Sequence, residues 1–314
     1  MMRPQKICCM ELRNAAHTEP GQVAPELVAL ISTISPDWLR KWVEGISLPR
    51  HYSANAEANQ AAARWLATQL AGWGYQVDLQ GQYLNVVARP PGITRPVLLV
   101  AAHYDSVPNM PGADDNGSAV AALLACAWTC RNWRRDLPVA FVAFNREEDG
   151  LLGSEDYVAA LSPEERESIQ CVHVLEMVGY ADHKYNTQKV PPGLPVQFPS
   201  QGNFLGLVAN AQSTSHMMDV LTIAHTYLPK FPVLGLPLPP GTEPLFPVLH
   251  RSDHASFWEA GVPAIMWTDT AEFRNPHYHM PTDLPGTLNY TFLLQVTQVL
   301  VATVVTEVMR LERN

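Results

Sequence analysis

Apolar and polar positions along the chain alternate between two rhythms. Short unbroken apolar runs, Val97–Ala102 (VLLVAA), Val139–Phe144 (VAFVAF), Val172–Leu175 and Ala264–Thr268, have the length of strands buried on both faces. Tyr75–Leu79 and Tyr83–Ala88, joined by Gln80-Gly81-Gln82, predict a further pair of strands. Between them run segments with helical spacing. Ser53–Gly74 puts Trp65, Leu66, Leu70 and Trp73 on one stripe and ends on a glycine suited to a C-cap. Gly117–Trp133, Gly153–Leu161, a helix opened by Ser162-Pro163, Ser213–Tyr227, Ala255–Ala260 and Tyr290–Glu312 follow. Upstream, Pro25–Ile46 predicts two short helices broken near Ser35-Pro36. Strand and helix alternating in this way predict an α/β fold. Its expected form is three-layer α/β/α, with a central, mostly parallel mixed sheet and helices on both faces.

The pattern holds no internal repeat and no domain boundary. The expectation is one domain over 23–314, preceded by a poorly structured leader over 1–22. Residues 181–250 hold many of the 27 prolines and predict a long excursion around the mouth of a site, interrupted by the helix at Ser213–Tyr227. Composition narrows the function classes. With 47% hydrophobic and 16% charged residues, 314 residues can bury a sizeable core. A net charge of −9 excludes the basic footprint that nucleic-acid binding needs. The five cysteines form no CxxC pair, which suits a reducing compartment. No run approaches the roughly 20 apolar residues of a membrane span, and the first residues lack a signal-peptide core, so the expected location is cytoplasmic.

The chemistry lies at the strand ends. His103 and Asp105 follow the run at Val97–Ala102, and Asp114 and Asp115 stand on the glycine-bounded loop after them. Asn145-Arg146-Glu147-Glu148-Asp149 ends the next strand, and Glu176 ends the one after that. Polar groups just past the carboxyl ends of parallel strands are where open α/β sheets bind ligands. Later in the chain stand Asp253, His254, His277, His279 and Asp283. Imidazole nitrogen and carboxylate oxygen are the ligands of borderline cations such as zinc, and no thiolate competes. So many acids in one cleft repel one another unless cations separate them. A dinuclear site, with metals roughly 3.5–4 Å apart, needs a bridging carboxylate plus a His and an acid for each metal, and can leave one acid free as general base.

Six segments carry a resemblance: HYDS (103–106), GADDNGS (112–118), EEDGLLGS (147–154), LEMVGY (175–180), SDHASFWEAGVPA (252–264) and YHMPTD (278–283). In this order they resemble the M28 family of zinc peptidases, in its bacterial aminopeptidase-like branch, from about Ser53 to the C-terminus. The resemblance implies the zinc-exopeptidase form of the phosphorylase/hydrolase-like α/β fold and two Zn²⁺, with manganese or cobalt as substitutes. It implies His103 as ligand of one metal, Asp105 as the residue orienting it, and Asp115 as the bridging carboxylate followed by a cis peptide bond. Glu147 is implied as general base, Glu148 and His279 as ligands of the second metal, and Glu176 as a ligand beside His103. His277 rivals His279, since alternate residues of an extended chain share a face. Asp114 is expected to support its loop, Asp283 to cap the last helix or orient His279, and Ser252 and Asp253 to cap a helix. The implied activity is a metallopeptidase, an aminopeptidase acting on peptides or small amides. A carboxypeptidase or deacylase, a glutaminyl-cyclase-like transferase and a non-catalytic binding relative are the alternatives.

Overall fold

A computed structural model describes residues 10–313. Its strands are β1 (Arg13–Asn14), β2 (Gln76–Gln80), β3 (Asn85–Arg89), β4 (Leu98–His103), β5 (Val139–Phe144), β6 (Cys171–Glu176), β7 (Leu205–Ala209), β8 (Val233–Pro237) and β9 (Ala264–Thr268). Its helices are α1 (Pro25–Ile31), α2 (Pro36–Ile46), α3 (Ala56–Gly72), α4 (Ala119–Trp133), α5 (Leu152–Ala160), α6 (Pro163–Ser168), α7 (Thr214–Tyr227), α8 (His254–Glu259) and α9 (Tyr290–Leu311). The strands form one mixed sheet in the order β1-β8-β7-β9-β6-β4-β5-β3-β2. Its centre, β9-β6-β4-β5, is parallel, as the unbroken apolar runs predict. The hairpin β2-β3 adds antiparallel at one end, and β7 enters antiparallel to β9 at the other.

Alternate residues of the central strands enter two cores. Leu98, Val100 and Ala102 face one side, packed with α2, α3, α4, α7 and α9. Leu99 and Ala101 face the other, packed with α5 and α8. Helix α9 is long and apolar enough by length and composition to cross a membrane, which the sequence pattern does not single out. It lies against α4 and α7, and 72% of its most apolar stretch is buried within the fold, so its apolar surface is taken up by packing on neighbouring helices.

Two sequence expectations are corrected. Residues 10–22, read as part of a poorly structured leader, are built into the fold: β1 pairs antiparallel with β8, and Ala15 is buried. Residues 1–9 of that leader lie outside the described residues. The excursion at 181–250 holds its expected helix as α7, but it also holds β7 and β8, strands absent from the sequence expectation, which extend the sheet.

Candidate metal centre

The register of the sheet brings the first two site residues together. In the parallel pair β4-β6, Ala101 stands beside Val174. Two residues on, still on the same face, His103 stands beside Glu176, and their Nε2 and Oε2 atoms lie 3.5 Å apart. Beyond β5, the turn at 145–151 carries Glu147 and Glu148. Asn145 pins this turn: its amide donates to Asn59 Oδ1 (2.9 Å) and to the Tyr83 carbonyl (2.8 Å). Arg146 takes a left-handed φ of 59°, and its guanidinium lies over the rings of Tyr52 and Tyr83.

Asp115 sits on the loop between β4 and α4, ahead of a cis peptide bond to Asn116. Gly112 begins this loop at φ +57°, and a Cβ there would meet the Asp115 carbonyl at 2.2 Å, so only glycine fits. Asp283 holds the loop from outside, its two carboxylate oxygens accepting the backbone N–H groups of Asp114 (2.9 Å) and Asp115 (3.1 Å). It does not cap the last helix, where Asn289 accepts from Phe292, and among the described residues the ion pairs of His279 go to Asp115 and Glu148. The fully buried Arg50 closes the loop from inside. Its guanidinium donates to the carbonyls of Tyr104 (2.5 Å), Leu48 (3.2 Å), Pro111 (2.6 Å) and Gly112 (2.9 Å).

The carboxylate of Asp115 faces two imidazoles. Its Oδ1 is 3.4 Å from His103 Nε2 and its Oδ2 is 3.1 Å from His279 Nε2. His279 Nε2 is also 3.4 Å from Glu148 Oε2, and His103 Nε2 is 3.9 Å from Glu147 Oε2. Asp105, fully buried, lies behind: Oδ1 is 3.4 Å from His103 Nδ1, and its two oxygens accept the N–H groups of Glu147 and Glu148 at 3.3 Å each. His277 turns away, its Nδ1 bonded to the Thr282 hydroxyl at 2.9 Å. His279 reaches the acids through a left-handed φ of 56°, with its ring stacked on Tyr278 at 3.8 Å.

Three ligand groups arise: His103, Asp115 and Glu176; His103, Glu147 and Glu148; Asp115, Glu148 and His279. Among the described residues, neither ring nitrogen of His103 nor Oε1 of Glu148 has a hydrogen-bond partner, although all are buried. With His103 Nδ1 turned to Asp105, the lone pairs left open on His103 Nε2 and Glu148 Oε1 fit a cation. The electrostatics agree. Burial, reinforced by repulsion from Asp115, pushes Glu148 up to about 7, and burial holds Glu147 well above the carboxylate range. Burial works against protonation of His103, yet Glu176 and Glu147 raise it well above its ordinary value.

Two residues read as helix caps belong here. Ser252 donates to Glu176 Oε2 at 2.7 Å. Asp253 makes no capping hydrogen bond and is fully buried, with both oxygens unpartnered among the described residues. A Ser-Asp pair before a helix carries the same sequence signature whether it caps or faces a site, so spacing could not separate the two. Asp114 supports its loop as expected, accepting from Gly179 N (2.9 Å) and Asn275 Nδ2 (2.6 Å). An apolar cavity of about 90 Å³ opens beside Glu176 and Tyr278, and much of its wall comes from the 181–250 excursion that the sequence places around the mouth of the site. Leu194, Phe198, Val248 and Met266 are among its walls. Arg251 and Glu272, on the same wall, pair with each other.

A family model for peptidase family M28 matches residues 85–225. The chain is 30% identical over 293 residues to the uncharacterized protein YfbL of Escherichia coli (strain K12), covering 87% of this chain and 89% of that one. The LapA aminopeptidase of Legionella pneumophila shares the fold, with a TM-score of 0.69 at 18% identity over 92% of this chain and 76% of that one. BSAP, a zinc aminopeptidase from Bacillus subtilis, is 29% identical with a TM-score of 0.53, over 71% of this chain and 49% of that one. The chain belongs to peptidase family M28 and is a hydrolase of the metallopeptidase type.

Proposed function

We propose that this protein is an aminopeptidase working with two divalent cations, zinc by the chemistry of the donors. One observation carries the reading: the two oxygens of Asp115 face two different histidines, each backed by a further acid. His103 and Glu176 would hold one cation with Asp115, and His279 and Glu148 the other. The donor set is imidazole and carboxylate throughout, and a relative of this chain is described as a zinc aminopeptidase. When bound, such a pair supplies Lewis-acid polarisation of a scissile carbonyl and acidifies the attacking water.

The protein's own residues do the rest. Glu147 is left over from the two ligand sets and faces the same space. Burial holds its proton well above the usual carboxylate range, with repulsion from Glu176, Glu148 and Asp253 adding to it. A carboxylate so placed takes a proton from the attacking water and returns it to the leaving amine. Asp105 fixes the ring of His103 and the turn carrying Glu147. The acidic rim attracts a free α-amino group, and the apolar cavity beside Glu176 receives the side chain of the first residue.

The test is metal content by elemental analysis, beside hydrolysis of a panel of aminoacyl-arylamides, for wild type and Glu147→Gln. About two zinc per chain is expected, with turnover lost in Glu147→Gln and metal retained. Two metals without arylamide turnover would overturn the aminopeptidase reading, and cyclisation of amino-terminal glutaminyl peptides would replace it with a transferase. A well-folded protein that binds no metal would overturn the whole mechanism.

A further inference from the structure

The cavity beside the metal centre is bounded by a stretch of chain remote from the ligand candidates. One row of residues crosses the sheet beneath it: Glu176 on β6 pairs with Thr268 on β9, Thr268 with Gly206 on β7, Gly206 with Leu234 on β8, and Leu234 with Asn14 on β1. Residues paired across a sheet point to the same face, so this row shares the face on which His103 and Glu176 meet. Leu12, two residues before Asn14, also lies on that face and lines the cavity. From β6 to β1 the row makes four strand steps of about 4.8 Å, about 19 Å in all. Leu12 therefore stands immediately before β1, the strand of this row farthest from Glu176.

Leu12 is fixed on both sides. Before it, the Met10 N–H donates to the Pro195 carbonyl at 3.2 Å, tying the segment to the loop that carries Leu194. After it, Arg13 and Asn14 pair with Gly235 and Leu234. Its side chain is half-buried against the core on that face of the sheet.

We propose that Leu12 is a specificity-determining residue: it closes the far end of the cavity and sets how long an apolar side chain the substrate's first residue can carry. The side-chain assignment rests on the aminopeptidase reading; the role of Leu12 in closing the cavity does not. Leu12→Ala removes three carbons and opens room for about two methylenes, each worth roughly four-fold in affinity when buried. Leu12→Trp shortens the cavity. Leu12→Met, close in volume, controls for damage to the edge strand.

Two measurements test this on the zinc-loaded protein. The first is kcat/KM on arylamides of unbranched 2-amino acids with side chains of two to eight carbons. The second is calorimetric binding of unbranched alkyl hydroxamates of four to ten carbons, which needs no turnover. Leu12→Ala should move the preferred length up by about two carbons in both series, with a change of about ten-fold in the ratio of long to short chains. Leu12→Trp should move it down, and Leu12→Met should leave it in place. Unchanged length preference in both variants overturns the proposal. A length switch in hydroxamate binding without arylamide turnover upholds the role of Leu12 and overturns the aminopeptidase reading.

Discussion

Replacing Glu148 by Gln should stabilise the metal-free protein while weakening the metal-loaded one. Burial first, then repulsion from Asp115, carries the Glu148 carboxyl from its ordinary 4.5 up to about 7, even with the attraction of His279 included. Its side chain is only 7% exposed, so little water screens these effects. A folded-state value above the unfolded one favours the protonated form in the fold. The stability it contributes is fully present below pH 4.5 and is lost as pH rises through about 7. The loss is about 3 kcal/mol above that window. The amide that Glu148→Gln introduces has no proton to give up and escapes it. At about pH 8, in chelator, Glu148→Gln should therefore be more stable than wild type by up to about 3 kcal/mol, about 5 °C in Tm for a chain of this length. At about pH 4.5 the difference should vanish, and with zinc added the order should reverse, because a ligand has been lost. Thermal and urea unfolding at both pH values, in chelator and in zinc, measure all four cases. Equal or lower stability of the variant in chelator at pH 8 would refute the claim that the carboxylates repel one another until cations separate them.

Asp105→Asn should weaken zinc about 10- to 100-fold in a competition titration, since Asp105 orients the ring of His103 and accepts from the turn bearing Glu147 and Glu148; unchanged affinity would remove its orienting role. Burial holds His254 down at about 4, against an ordinary 6.5, and its Nε2–H donates to the Leu249 carbonyl at 2.8 Å. The stability this contributes is present above pH 6.5 and lost as pH falls through about 4, about 3 kcal/mol in full. His254→Gln keeps a donor without a proton to gain, so its stability should fall less steeply on the acid side; an acid limb identical to wild type would contradict this.

The centre of the sheet was legible because parallel strands buried on both faces must be unbroken apolar runs. Their polar ends then stood out: His103, Glu147, Glu148 and Glu176 all sit where a run stops. The far side of the sheet was not legible. β8 reads VLGLP, with a glycine and a proline inside it. Its Gly235 lies so close to α7 that a Cβ would meet the Met217 sulfur at 2.8 Å. The two residues of β1 form a strand only because β8 offers an edge. In the site, the resemblance names His279 over its rival His277, while the left-handed backbone that brings the His279 ring to the acids is not legible in the spacing. The role of Asp283 is not legible in the sequence because its partners, Asp114 and Asp115, are 169 and 168 residues away along the chain.

Arg50 brings one more consequence. It is a cation set among acids, yet among the described residues the four hydrogen bonds of its guanidinium go to backbone carbonyls and none to a carboxylate. Burial lowers its pKa only to about 10, so it keeps its charge at neutral pH. The loop that presents Asp115 is thus shaped by a group that no chelator can extract. Like a mould cast independently of what is poured into it, this loop should keep its form without metal and take metal up without refolding.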